Sequence, residues 1–289
     1  PVSNTVVPFT LPGRPESVDA ATLGNQRGAI TVRWAAAVDN GRPVTKYVVK
    51  AGERSVEVAD TAATLTGLPD GANVPVTVHA VNEAGDGPPG TATARTVAPP
   101  KVTVTNGTAD YDSATVRFTV DAGGGQATCS MSTAGRPAVS GNCSSLTVDG
   151  LKPNTPYTFT VTATNAAGSG TAQKVQDTAV LTGVATCRNG QNGDTRTYCD
   201  KDRPNERNGN EIFRNARQEN DEQVGWVEDR TTLKAYCKKK GDKVVDSYIY
   251  NSQKKSDWWV QVDYSGRNYI PWAWLNLQNG DNLNALPNC

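Results

Sequence analysis

Six cysteines, a single histidine and a late cluster of tryptophans are the residues with the most restrictive chemistry in this 289-residue chain. Any Ser/His/Asp or Cys/His arrangement would have to be built on His79. That residue lies in Val74-Pro75-Val76-Thr77-Val78-His79-Ala80, which alternates as a half-buried strand, a setting for a solvated side chain rather than a base. No phosphate-cradling, dinucleotide or zinc-protease motif is present. The closest carboxylate pairs, Asp221-Glu222 and Glu228-Asp229, are adjacent in sequence, so their side chains diverge and read as solvated. The chain is therefore expected to be non-catalytic and to carry no cofactor and no metal. The even cysteine count, without a CxxC pair, points to disulfides and an oxidising compartment. Lys238-Lys239-Lys240 leads into a Gly241-Asp242 turn. It reads as a solvated charge run, with contact to phosphates or anionic wall polymers as the functional alternative.

Charge names no partner. Lys+Arg and Asp+Glu balance at 29 each, 13 against 14 up to residue 186 and 16 against 15 beyond it, so nucleic acid is not an expected ligand. No apolar run approaches the roughly 20 residues of a membrane span. Membrane contact is expected only through an anchor outside residues 1–289.

The elements that must position these groups are strands. Up to residue 186 the chain is rich in Val, Thr, Ala and Gly. Ile30-Thr31-Val32-Arg33-Trp34 and Val116-Arg117-Phe118-Thr119-Val120 alternate apolar and polar, with turn signals such as Asp39-Asn40-Gly41 and Pro69-Asp70-Gly71 between strands. The segment from Gly67 to Gly85 repeats from Leu151 to Gly168, taken with a one-residue gap in the turn. Both copies carry apolar-x-apolar-x-Val-x-Ala-x-Asn-x-Ala-Gly. On these residues the chain resembles tandem fibronectin type III domains. Trp34 and Phe118 match the buried second-strand aromatic, and Tyr157 matches the corner tyrosine whose hydroxyl ties a loop back to the backbone. Val74 replaces that tyrosine in the first copy, which implies a less rigid corner. Pro99-Pro100 is expected to stiffen the junction. Cys129 and Cys143, fourteen apart, are expected to clip a local hairpin, worth about 3 kcal/mol.

Beyond residue 186 lie five of the six Trp, six of the nine Tyr and four of the six Cys. Thr232 to Cys237, Val244 to Tyr250, Asp257 to Val262 and Tyr269 to Leu275 read as short strands separated by turns, a small closed barrel. The order Ile212-Phe213-Arg214, Val224-Gly225-Trp226-Val227, Trp258-Trp259, Gly266, Tyr269-Ile270-Pro271 resembles a bacterial SH3 domain over about residues 196–277. The resemblance implies a ligand groove paved by Trp258, Pro271 and Trp274, with the adjacent Trp259 counted among its candidate residues. Adjacent Trp258 and Trp259 must face opposite ways on a regular strand, so one is core and the other partly exposed. Four cysteines allow three pairings. Cys187 with Cys199 and Cys237 with Cys289 form one set, and Cys199 with Cys237 is the main competitor.

The fold expected is all-β: sandwiches over residues 8–97 and 98–182 and a Cys/Trp-rich SH3-like barrel over residues 187–289. The combination resembles envelope-anchored actinobacterial proteins. It implies an extracytoplasmic binding, adhesion or sensor region, with sandwiches as spacers presenting an aromatic groove to a wall glycan, wall peptide or envelope protein. The alternatives are the accessory region of a secreted polysaccharide hydrolase and a purely structural spacer.

Overall fold

The computed structural model describes residues 10–186, 210–228, 230–244 and 256–289. Eight strands build the first sandwich: β1 (Glu16–Thr22), β2 (Ile30–Ala35), β3 (Lys46–Ala51), β4 (Arg54–Val58), β5 (Ala62–Leu65), β6 (Asn73–Asn82), β7 (Gly85–Asp86) and β8 (Gly90–Arg95). One sheet runs β1-β2-β5; in the other β3 lies between β4 and β6, and β6 also pairs with β7 and β8. Period-two alternation places Val32 and Trp34 of one sheet and Tyr47, Val49, Val76 and Val78 of the other in a single buried cluster. The Trp34 and Tyr47 rings meet edge-on at 5.3 Å.

The second sandwich repeats the plan with β9 (Lys101–Ala109), β10 (Ser113–Asp121), β11 (Thr128–Ser132), β12 (Val139–Gly141), β13 (Ser145–Asp149), β14 (Pro156–Asn165) and β15 (Gly168–Asp177). Its sheets run β13-β10-β9 and β12-β11-β14-β15. Phe118, Met131, Phe159 and Val161 are buried. The Cys129–Cys143 disulfide ties β11 to the residues just past β12, at a Cα separation of 5.2 Å. Two compact units divide the chain, and this sandwich contributes to both: residues 116–146 and 159–174 to the first, 107–115 and 147–158 to the second.

The repeated sequence does the same work twice. Asn82 Nδ2 donates to the Thr10 and Asp39 carbonyls at 2.9 and 3.1 Å, while its Oδ1 accepts the Ala84 N–H at 2.8 Å. Asn165 does likewise with the Ala98 and Ala122 carbonyls and the Ala167 N–H, at 2.7, 2.8 and 2.8 Å. Thr96 Oγ1 accepts the Ala72 N–H and donates to the Pro69 carbonyl, and Thr178 Oγ1 accepts the Thr155 N–H and donates to the Lys152 carbonyl. Pro69 therefore corresponds to Lys152, Ala72 to Thr155 and Asn82 to Asn165, a constant offset that removes the gap expected in the turn. Tyr157 Oη accepts the Lys152 N–H at 2.9 Å, the corner bond expected there.

The junction is tied on both sides. Gly71 N–H donates to the Val97 carbonyl and Ala98 N–H to the Gly123 carbonyl. Gly123, at φ +64°, sits so close that a Cβ there would lie 2.1 Å from the Ala98 oxygen.

The last sheet comprises β16 (Leu181–Ala185), β17 (Asn210–Phe213), β18 (Gln223–Val227), β19 (Thr232–Lys240), β20 (Trp258–Asp263), β21 (Arg267–Pro271) and β22 (Leu275–Leu277), with a short 3-10 turn, Trp272–Trp274, before β22. Its order is β18-β17-β21-β20-β19-β16-β22, and each pairing within it is antiparallel. The domain start expected at residue 187 is corrected by β16, which pairs with β19 and β22 and so belongs to this sheet. Leu-Thr-Gly-Val-Ala has the small, β-branched texture of the sandwiches, which hid it. Gly183 is demanded by packing, since a Cβ would lie 2.7 Å from Leu275 Cγ.

Asn82→Ala and Asn165→Ala each strip one side chain of three hydrogen bonds and strand two backbone carbonyls and an N–H. Each is expected to lower stability by about 2–3 kcal/mol, read as a shift of the urea midpoint. A loss under about 0.5 kcal/mol in both would show that water replaces the clamp.

Candidate functional site

Alternation along β19 puts Leu233 and Ala235 into the core. Ala235 stands opposite Val262 and Cys237 opposite Gln261, so the register slips by one and Tyr236 is the extra residue. Past this bulge Lys238 and Lys240 share one side of the strand, opposite Val260 and Trp258, Lys238 buried and Lys240 exposed at the strand's end. A lysine is thereby delivered where an apolar residue would ordinarily stand, and Lys238 is only 8% exposed.

Its ammonium is satisfied by the chain's C-terminal segment. Nζ donates to the Leu283 carbonyl and to Asn284 Oδ1, both at 3.1 Å. The Lys238 N–H donates to the Pro287 carbonyl at 2.8 Å, and its carbonyl accepts the Cys289 N–H at 2.9 Å. The neighbouring Cys237 is disulfide-bonded to Cys289. Desolvation by burial lowers the Lys238 pKa from the ordinary lysine value.

Trp258 lies on the same side. The Lys240 and Lys238 ammonium groups stand 4.6 and 5.3 Å from its ring centroid, within cation–π reach. Lys240 also pairs with Asp257 Oδ1 at 2.5 Å, and this hydrogen bond holds the Asp257 carboxyl below the usual carboxylate range. On the opposite side of the strands, Lys239 Nζ stands 4.2 Å over the Tyr269 ring, and the Arg267 guanidinium 3.1 Å over that of Tyr236. Each face thus carries cations on aromatic rings.

Of the groove residues expected from sequence, Trp258 alone keeps part of its surface in solvent. Trp259 is fully buried: its Nε1 donates to the Asp242 carbonyl at 2.9 Å, Phe213 meets it edge-on at 5.3 Å, and Gly241 packs against it with no room for a Cβ. Pro271 is buried opposite Trp259 in the β20–β21 pairing. Trp274, 1% exposed, faces inward from the 3-10 turn among Leu275, Leu277 and Ile270. Trp259, Pro271 and Trp274 are therefore corrected from ligand-facing to core, because a small domain needs its largest apolar surfaces inside. The lysine run weighed from sequence as a solvated turn or an anion contact instead flanks Trp258, with Lys238 buried, a placement that the alternation could not show because a bulge has no signature in it. Cys187 and Cys199 lie outside the described residues, as do Asp229 and the expected strand from Val245 to Tyr250. Asp221 and Glu222 fall in a 3-10 turn, Asn220–Glu222, and Glu222 accepts the Asn215 amide at 2.9 Å. His79 sits half-buried on β6, donating from Nδ1 to the Gly87 carbonyl at 2.9 Å. Among the described residues no three His, Cys, Asp or Glu side chains are placed to hold a metal ion.

The sequence model of the fibronectin type III domain matches residues 13–96 and 97–178. Comparison with curated proteins gives no match. Among solved structures the chain is similar to the crystal structure of the FN1–FN3 domains of chicken CNTN1. The two are 22% identical over 58% of this chain and 69% of that one, with a TM-score of 0.29.

Two outcomes follow from the stapled tail. Replacing Cys237 and Cys289 together by Ser opens a loop of 52 residues and is expected to cost about 4 kcal/mol, read by chemical denaturation. Lys238→Met changes the pH dependence. The folded-state pKa of Lys238 lies below its unfolded value, so the unfolded chain binds the extra proton, and stability rises with pH between the two. Wild type is expected to gain on Lys238→Met as pH climbs toward the ordinary lysine range; a pH-independent difference would contradict the buried ammonium.

Proposed function

The chain belongs to the fibronectin type III domain family, whose members commonly serve as non-catalytic spacers or adhesion modules, and from that premise we propose that it is an extracytoplasmic binding region. In this reading the two sandwiches space and orient a C-terminal SH3-like domain, and that domain engages a cell-wall component or an envelope protein. The observation that carries the reading is the half-buried Trp258 ring with two lysine ammonium groups held over it. A flat aromatic face beside fixed positive charge suits a ligand with both apolar sugar or peptide faces and anionic groups. The disulfides support an oxidising location. Anchorage through a membrane segment outside residues 1–289 belongs to the same proposal.

The spacer reading has its own support, since Trp259, Pro271 and Trp274 are committed to the core. Co-sedimentation with purified bacterial cell-wall sacculi, with and without their anionic polymers, separates the two. Wild type is expected to pellet with intact sacculi, more weakly as salt rises. Trp258→Ala and Lys240→Glu are each expected to lose at least tenfold. Retention of both variants at the wild-type level would remove this face from binding, and no pelleting by any form would leave the spacer reading in its place.

A further inference from the structure

The two sandwiches differ at one corner, and the difference leaves a space. In the second, Tyr157 reaches back along its own loop so that its hydroxyl accepts the Lys152 N–H. In the first, the corresponding residues are Val74 and Pro69. Proline has no N–H, so a tyrosine at 74 would find no donor for its hydroxyl. The pair Tyr157 with Lys152 has been replaced by Val74 with Pro69 as a matched set. Val74 is too short to cover what the phenol covers, and a cleft of about 510 Å³ opens there, within the range of small-ligand sites.

Leu68, Pro69, Ala72, Val74 and Pro75 line it together with Arg54 and the polar Glu53 and Asn73. Arg54 is held in place: Nε donates to the Gly67 carbonyl at 3.2 Å. Gly67, at φ +72°, leaves the guanidinium room that a Cβ would take, since one would lie 3.0 Å from an Arg54 nitrogen. The guanidinium thus offers the cleft a flat cationic plane beside its apolar residues, an arrangement that favours an aromatic ring over an aliphatic group of equal size.

We infer that this cleft is a binding site for a peptide-borne aromatic side chain, with the partner's ring standing where Tyr157 stands in the second sandwich. A phenyl ring serves as well as a phenol, because Pro69 offers the hydroxyl no N–H. The inference is independent of the C-terminal face and stands or falls on its own measurement.

The test is a titration of the isotope-labelled chain with N-acetyl-phenylalanine amide, followed by amide chemical shifts, with the cyclohexylalanine counterpart as control. Binding on the order of 1 mM is expected for one well-seated ring, with shifts confined to residues 52–54 and 67–75. The cyclohexyl compound should bind at least fivefold more weakly. Val74→Phe should fill the cleft and abolish the shifts, and Arg54→Ala, which leaves the interior untouched, should weaken binding at least threefold. Absence of saturable shifts, equal affinity for the two compounds, or unchanged binding by either variant would overturn the inference.

Discussion

A β-sheet settles its backbone hydrogen bonds only between strands, so the ends of every sheet leave carbonyls and N–H groups that water or side chains must satisfy. The same solution recurs at each end of this chain: one buried or half-buried polar side chain collects the orphans of two or three loops at once. Asn82 and Asn165 do so where the last hairpin of each sandwich meets the incoming strand and an upstream loop. Thr96 and Thr178 do so at the opposite corner. Lys238 does so for the C-terminal segment, and the Cys237–Cys289 bond makes that closure covalent. Removing such a group strands several backbone atoms in places water reaches poorly, which is why these positions matter more than their small areas suggest.

The constraint also accounts for how much of the fold was legible. Asn-x-Ala-Gly recurs in sequence because the clamp recurs in space, so the repeat reported the sandwiches directly. The alternations around Trp34 and Phe118 reported which faces are buried. The gap assumed in the repeated turn was an error of matching proline to proline: Pro69 stands at the place of Lys152, and only the threonine bonds reveal it. The domain boundary was hidden for another reason. Leu181 to Ala185 pairs with strands 48 and more residues away, and composition carries no information on pairing across that distance.

The candidate site was less legible because it depends on a single slipped residue. Had β19 run without its bulge, Cys237 and Lys239 would face the interior and Lys238 and Lys240 the opposite side. The extra residue at Tyr236 exchanges these sets, which buries one ammonium and stands two over Trp258. Period-two reasoning correctly separates Trp258 from Trp259 on a regular strand, and it loses the thread where regularity ends. The cysteine pairing was open for the same reason: Cys237 meets Cys289 because the tail folds back on β19, a contact made by hydrogen bonds that sequence spacing does not encode.

A division of labour among the aromatics emerges. Trp259 and Trp274 hold a small domain together and are lost to recognition, since a ring fully buried in the core has no face to offer. Trp258 is spared this role because its strand neighbours on the same side are lysines, whose hydrated head groups resist burial and keep the adjacent ring near solvent. Lys238 is the exception that makes the arrangement possible, since its stem and ammonium are held by the tail while Lys240 stays outside. In the proposed binding role this face would offer its cations as much as its indole, and the tail matters to it because it fixes Lys238.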